Sequence, residues 1–234
     1  MKNYFKTSAF VIILAFTFFS CKKKDSQPST PLKSEIAVKI KSGNLVSPIA
    51  SGTKGTASIS WSNYNVILGD VSFSGTKDGV PASPFTIPSK EFEFKDGSKA
   101  DLLGTLLIPE GSYSKSQYTL NFKARTGNAL EISGVYTDVN GIAYTIKFVC
   151  KQEVASIAVG EDKIIKPTQN YLVDIIMDWD KLSANITTSD LANVTYISKN
   201  SILIDETNNP DLYAKFKNNL STIAHFTYNQ SKDF

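Results

Sequence analysis

Three aspartates close to residue 175 are the first residues whose type and spacing could do chemistry. Asp174, Asp178 and Asp180 follow one another at intervals of four and two. On an extended strand they share a face, because successive side chains alternate. Three carboxylates on one face could hold Ca²⁺, which takes hard oxygen ligands. Two could instead act as acid and base on a glycosidic bond, with Asp178 and Asp180 about 7 Å apart along the strand. A Ca²⁺ loop also uses glycine and backbone carbonyls at fixed spacing, and this segment has neither. The expectation is therefore a solvated strand face turning at Asp180-Lys181, with Asp174, Asp178 and Asp180 kept as the alternative metal or acid–base site.

The other reactive residues are few. His225 is the sole histidine, so any Ser-His-Asp or Cys-His mechanism would have to use it. Its place close to the end of the sequence suits a surface or end-packing role. Zinc sites built from Cys and His are excluded by the count, since the chain has one histidine and two cysteines, of which Cys21 sits at the N-terminal lipobox. No Gly-x-Ser-x-Gly elbow occurs, and Gly52-Thr53-Lys54-Gly55 lacks phosphate-loop spacing. No catalytic residue and no cofactor are expected. Trp61 sits in a polar neighbourhood, Ser58-Ile59-Ser60 before it and Ser62-Asn63 after it. It is the tryptophan expected to offer a ligand an aromatic platform, whereas Trp179 has core parity with Val173 and Ile175.

Period-2 patterns supply the elements that must position these residues. Ile36, Val38 and Ile40 share one parity, as do Tyr118, Leu120 and Phe122, and Tyr171, Val173, Ile175 and Met177. Tyr64, Val66 and Leu68 take one parity and Val71 and Phe73 the other, with Gly69-Asp70 between. Such a slip marks a β-bulge. Ile142, Tyr144, Ile146, Phe148 and Cys150 alternate too, which places the Cys150 thiol in the core as a small hydrophobe. Asn140-Gly141 signals a type I′ hairpin ahead of them. Near the end, Asn209-Pro210-Asp211 reads as an N-cap, a proline at the first helical position and an acid in the first turn. Leu212, Phe216 and Leu220 repeat at helical spacing. These signals predict a mainly all-β chain, an antiparallel β-sandwich with one short C-terminal α-helix, as a single domain over 36–234.

The N-terminus has a different character. Lys2 and Lys6 precede an uncharged, mostly apolar run from Ser8 to Phe19, closed by Ser20-Cys21. This is signal-peptide layout, and the run is too short to span a bilayer, which takes about 20 apolar residues. The cysteine after a small residue resembles the lipobox of bacterial lipoproteins, of the loose kind found in Bacteroidota. Phe18 and Phe19 depart from the usual Leu and Ala or Ser. The resemblance implies cleavage after residue 20, acyl chains on Cys21 and an outer-membrane anchor. Residues 21–35 then form a tether whose Ser, Gln, Thr and Pro cannot bury enough apolar surface to order. Lys22-Lys23-Lys24-Asp25 resembles a surface-export signal with less acid than usual, and surface display is expected ahead of the periplasmic face. Six of the 25 basic residues and two of the 22 acids lie at or before Glu35, leaving 19 bases against 20 acids. With Arg125 as the lone arginine, the domain has no basic face for nucleic acid.

A second resemblance lies within the domain. Pro109-Glu110-Gly111-Ser112-Tyr113, between Asp101–Ile108 and Tyr118–Phe122, is similar to the strand, Pro-x-Gly-x-Tyr, strand pattern of transthyretin-like sandwiches in bacterial surface lipoproteins. Tyr171–Asp174 and Asp178-Trp179-Asp180 resemble the strand that closes such domains, in a lipoprotein family of unknown function. The resemblance implies a cell-envelope module and brings no catalytic residue. The expected function is thus a non-catalytic binding or structural module for a glycan or protein partner. A carboxylate-dependent hydrolase and a pilus-type subunit are the alternatives. The subunit usually matures by cleavage after an arginine near its N-terminus, a route this chain lacks.

Overall fold

The computed structural model describes residues 32–49, 56–88, 90–95, 100–123 and 127–230. Cys21 and the leader, the tether through Pro31, Gly52–Gly55 and Arg125 lie outside the described residues. Of the described residues strands account for 61% and helices for 13%, so the fold is mainly β. Among the described residues no helix is long and apolar enough to cross a membrane.

Strands β1 (Lys33–Ser42) and β2 (Val46–Ile49) lead into β3 (Ala57–Lys77), a strand of 21 residues. Buried positions on β3 run Ala57, Ile59 and Trp61, then Tyr64, Val66 and Leu68, then Val71 and Phe73. Each slip coincides with a shift in pairing register, at Trp61/Asn63 and at Leu68/Asp70. A bulge inserts one residue and bends and twists the strand. So β3 keeps one face inside while the sheet curls about it. The chain returns along one side of β3 as β4 (Val80–Pro81), β5 (Phe85–Ile87) and β6 (Lys90–Lys95). After β7 (Asp101–Pro109), strands β8 (Gly111–Phe122) and β9 (Leu130–Thr137) run in succession along the other side. Pro109 closes β7, Gly111 turns at φ +151°, and the buried Tyr113 donates its hydroxyl to Pro109 O at 2.9 Å. Burial, aided by Asp78, pushes that phenol up to about 12.

Two wings grow from this spine. Along one lie β10 (Ala143–Cys150), reached by a turn in which Asp138 Oδ1 accepts the N–H groups of Asn140 and Ile142 and Gly141 has φ +80°. That turn is longer than the two-residue hairpin expected, and it leaves Ile142 49% exposed, outside the buried row that begins beyond it. Along the other lie β11 (Val154–Val159), β12 (Lys163–Ile165) and β13 (Asn170–Met177). Helix α1 (Thr188–Ala192), β14 (Tyr196–Ser198), β15 (Ser201–Ile204), α2 (Pro210–Asn219) and β16 (Ala224–Gln230) complete the chain. The strand order is β14-β15-β10-β9-β3-β8-β11-β16-β13-β1-β7. At the far end β7 curls back against β5, with Ile87 seated on Gly104, where a Cβ would come within 2.7 Å.

The β-rich character matches the sequence reading, and the architecture departs from it. The sheet is mixed and curled into a half-barrel, not a clear antiparallel sandwich. β1–β13, β10–β15 and β11–β16 pair in parallel. Hairpin signals report antiparallel neighbours. Parallel partners need long crossovers, which local periodicity does not register.

Helix α2 begins where the sequence places it and buries Leu212, Tyr213 and Phe216 on the sheet. Phe216 meets Trp61 edge-on at 5.8 Å and Phe148 at 5.4 Å. Trp179 opens a 3₁₀ turn (Trp179–Ser183) and stacks on Tyr64 at 4.8 Å. Cys150 is fully buried, its Sγ 3.5 Å from the Tyr213 hydroxyl. Gly134 lies opposite the first bulge of β3. A Cβ there would stand 2.2 Å from Ser60 O and 2.9 Å from Trp61 Cα. Gly134→Ala is expected to cost about 1–3 kcal/mol through overpacking, against less than about 0.5 kcal/mol for Ser133→Ala. Urea midpoints of the two variants check this, and equal midpoints contradict it.

Candidate functional site

The strand acids occupy neither a solvated face nor a shared cleft. Asp174 and Asp178 are only 9% and 8% exposed, and each carries its own cation. Parallel pairing of β1 with β13 brings Lys41 beside Ile176, and Lys41 Nζ reaches Asp174 Oδ2 at 3.1 Å. The Asn229 amide donates to the same oxygen at 2.8 Å. Asp178 Oδ2 holds Lys181 Nζ at 2.8 Å and His225 Nδ1 at 2.9 Å. Gly43 makes room for this arrangement, since a Cβ there would fall 2.3 Å from Asp178 Oδ1. β13 ends at Met177, and Asp180 sits in the 3₁₀ turn. The three acids expected to line one strand therefore do not converge. Among the described residues no group of three or more His, Cys, Asp or Glu is placed to hold a metal. Asp180, the expected acid–base partner of Asp178, sits in the 3₁₀ turn beyond the end of β13, so the roughly 7 Å strand spacing expected of that pair does not apply.

Trp61 is the second correction. It lies within β3 at 1% exposure, in the row of Ile59, with Phe216 against its ring. The serines around it occupy the other face of the strand. Their polarity describes their own side of the pleat, and the ring offers no free face to a ligand.

A concavity lies where the sequence reading placed no site. Helix α1, the segment before β14 and the start of α2 enclose a cleft of about 390 Å³, at the low end of the roughly 300–1,000 Å³ typical of ligand sites. Its walls are fixed by side chains that hold the backbone. Asn209, in the left-handed region at φ +59°, accepts from Thr195 N–H at 2.7 Å. Its amide donates to Thr195 O at 3.1 Å and Leu203 O at 2.7 Å. Asparagine is among the few residues that adopt this conformation readily. Asp205 Oδ1 accepts the N–H groups of Thr207 and Asn208; burial pushes its carboxyl up, but these bonds, the Asn208 amide and the charge of Lys151 outweigh burial and hold it below the usual range. Across the cleft Thr187 and Asp190 form a reciprocal capping box on α1, and Lys215 of α2 binds Asp190 Oδ1 at 2.7 Å. Sequence signals for this site existed in part. Thr187-x-x-Asp190 is a capping pattern, and Asn208-Asn209-Pro210 a helix start.

A second exposed feature lies on the β14 wing. Tyr136 and Tyr144 stack at 5.8 Å, and Tyr196 lies 5.5 Å from Tyr144 and is 41% exposed. Burial, with contributions from Asp138 and the neighbouring phenols, raises Tyr136 and Tyr196 above the ordinary tyrosine range. The chain matches no protein-family model, no curated protein and no solved structure.

Asp190 gives the cleft a measurable pH signature. Burial pushes its carboxyl up, but bonds from Lys215 and from the Thr187 N–H and hydroxyl outweigh burial and leave it below 3.8. A depressed folded value stabilises the protein above the unfolded value and loses that contribution as pH falls through the folded one. Asp190→Asn is therefore expected to be less stable than wild type at every pH well above 3.8, with the gap closing in acid below it. Chemical denaturation at a series of pH values measures the gap. A gap unchanged down to the acid limit contradicts the assignment. At the same cap, Thr187→Ala should cost about 1 kcal/mol.

Proposed function

We propose that the chain is a lipid-anchored outer-membrane protein whose β-rich domain serves as a non-catalytic binding module for a glycan or a protein partner. The anchor reading rests on Lys2, Lys6, the apolar run and Ser20-Cys21. The lysines after Cys21 suit a tether beside anionic headgroups, at about 1 kcal/mol each near the surface, and display on the cell surface is favoured over the periplasmic face. In this reading the domain presents a transthyretin-like, sandwich-type packing on the end of a tether, without cofactor and without nucleic acid.

The observation that carries the binding role is the cleft between α1 and α2. Its lining is held open by hydrogen bonds within the protein, and it belongs to the wing that ends in β14, whereas the tether leads into β1, the last strand but one at the opposite end of the pairing order. The acids that an enzyme would need are committed elsewhere. Asp174 and Asp178 each meet their own lysine, and the sole histidine is shared with Lys181 on one oxygen of Asp178. This arrangement favours the module over a carboxylate-dependent hydrolase.

Labelled palmitate fed to cells expressing the full chain should enter the wild-type protein and be absent from Cys21→Ser. The variant should also lose its partition into the detergent phase. Label retained by Cys21→Ser, or absent from both proteins, contradicts the anchor.

A further inference from the structure

We infer that the cleft between α1 and α2 is a saccharide subsite, sized for a neutral mono- or disaccharide. The inference rests on the binding-module reading and gives that module a site and a ligand class. It starts from what the cleft leaves unbonded. The side-chain amide of Asn209 is spent on Thr195 and Leu203, and the Asp205 carboxylate on Thr207, Asn208 and the Asn208 amide. Asp190 and Lys215 neutralise each other. Among the lining side chains, the hydroxyls of Thr195 and Thr207, the amide oxygens of Asn193 and Asn208 and the carboxylate of Asp211 have no hydrogen bond or ion pair among the described residues, and Thr195, Thr207 and Asp211 are exposed. The apolar lining of the cleft is the exposed Pro210 with the mostly buried Val194 and Leu212, 9% and 5% exposed.

Ligand chemistry follows from that set. Threonine hydroxyls both give and accept, and a carboxylate only accepts. A polyol, each of whose hydroxyls does both, can engage all of them, and the C–H face of a sugar ring can lie on Pro210 with Val194 and Leu212. An anion is disfavoured, because Lys215 is already paired and Asp211 leaves the lining one negative charge in excess. A simple cation would gain little from one exposed carboxylate in water. An apolar ligand would strip water from the two hydroxyls and the carboxylate without replacing it. The walls are fixed before any ligand arrives, so binding need not order a loop, which is a cost weak sugar ligands could not meet.

Saturation-transfer difference NMR tests this with the full chain in deuterated detergent and a panel of glucose, galactose, mannose, N-acetylglucosamine, maltose and cellobiose. At least one member should show saturable transfer with a Kd of about 1 mM or tighter. Thr207→Val with Asp211→Ala should weaken it about tenfold, and Thr195→Trp, which fills the cleft, should abolish it. Lys39→Ala on β1 should leave it unchanged, and unaltered melting of each variant shows that folding is intact. No transfer from any member, or transfer undiminished by Thr195→Trp, overturns the subsite. In the latter case the binding module stands with its site elsewhere. Hydrolysis of maltose or cellobiose in the same tube, if the cleft variants stop it, keeps the subsite and removes the non-catalytic reading.

Discussion

A strand of 21 residues can keep one face buried along its whole length only if the sheet curls with it, and β3 does this by moving its buried face one position at each of two bulges. Much else in the fold depends on that adjustment. The first bulge sets Trp61 and Tyr64 on the same side despite their odd spacing. Trp61 then receives Phe216 of α2, and Tyr64 receives Trp179 of the 3₁₀ turn. These two aromatic contacts hold the non-β segments on the inner face of the half-barrel. Removing a buried tryptophan typically costs about 3–5 kcal/mol, so losing Trp61 would loosen the helix as well as the sheet. The cleft, built on the first turn of that helix, depends in turn on its seat.

Buried charge and open polar surface are kept apart in this molecule. Asp174 on β13 and Asp178 just beyond its end lie under their cations, where loss of one partner would strand a poorly solvated charge. Such pairs fix the meeting of β1, β13 and β16, three strands that the sequence separates widely. The α1–α2 cleft works the other way. There the internal hydrogen bonds consume the groups that shape the backbone and leave Thr195, Thr207 and Asp211 exposed. Structural polarity and available polarity thus belong to different residues.

How much was legible in the sequence depends on the range of each signal. The slip at Gly69-Asp70, the buried row from Ile146 to Cys150 and the start of α2 at Asn209-Pro210 are local patterns, and the structure shows them. The slip at Trp61/Asn63 is just as local, but serines on the outer face disguised it as a polar strand end, and so Trp61 seemed exposed. The acids misled for a different reason. Their alternation was real up to Asp178, but the lysines and histidine that bury them come from β1, the 3₁₀ turn and β16. β16 itself, a short strand beyond the helix, was not foreseen. The cleft was invisible because it arises from three segments meeting, each of which reads alone as an ordinary turn or cap.

The cleft is a preorganised part of the fold rather than a set of loose surface turns. Native-state hydrogen exchange of single backbone amides measures this directly. The amides of Thr195, Thr207 and Asn208, which donate to Asn209 and Asp205 side chains, should exchange slowly, with opening free energies close to those of the β10 core strand. Exchange of these three amides at the rate of an unstructured peptide, while β10 stays protected, would contradict it.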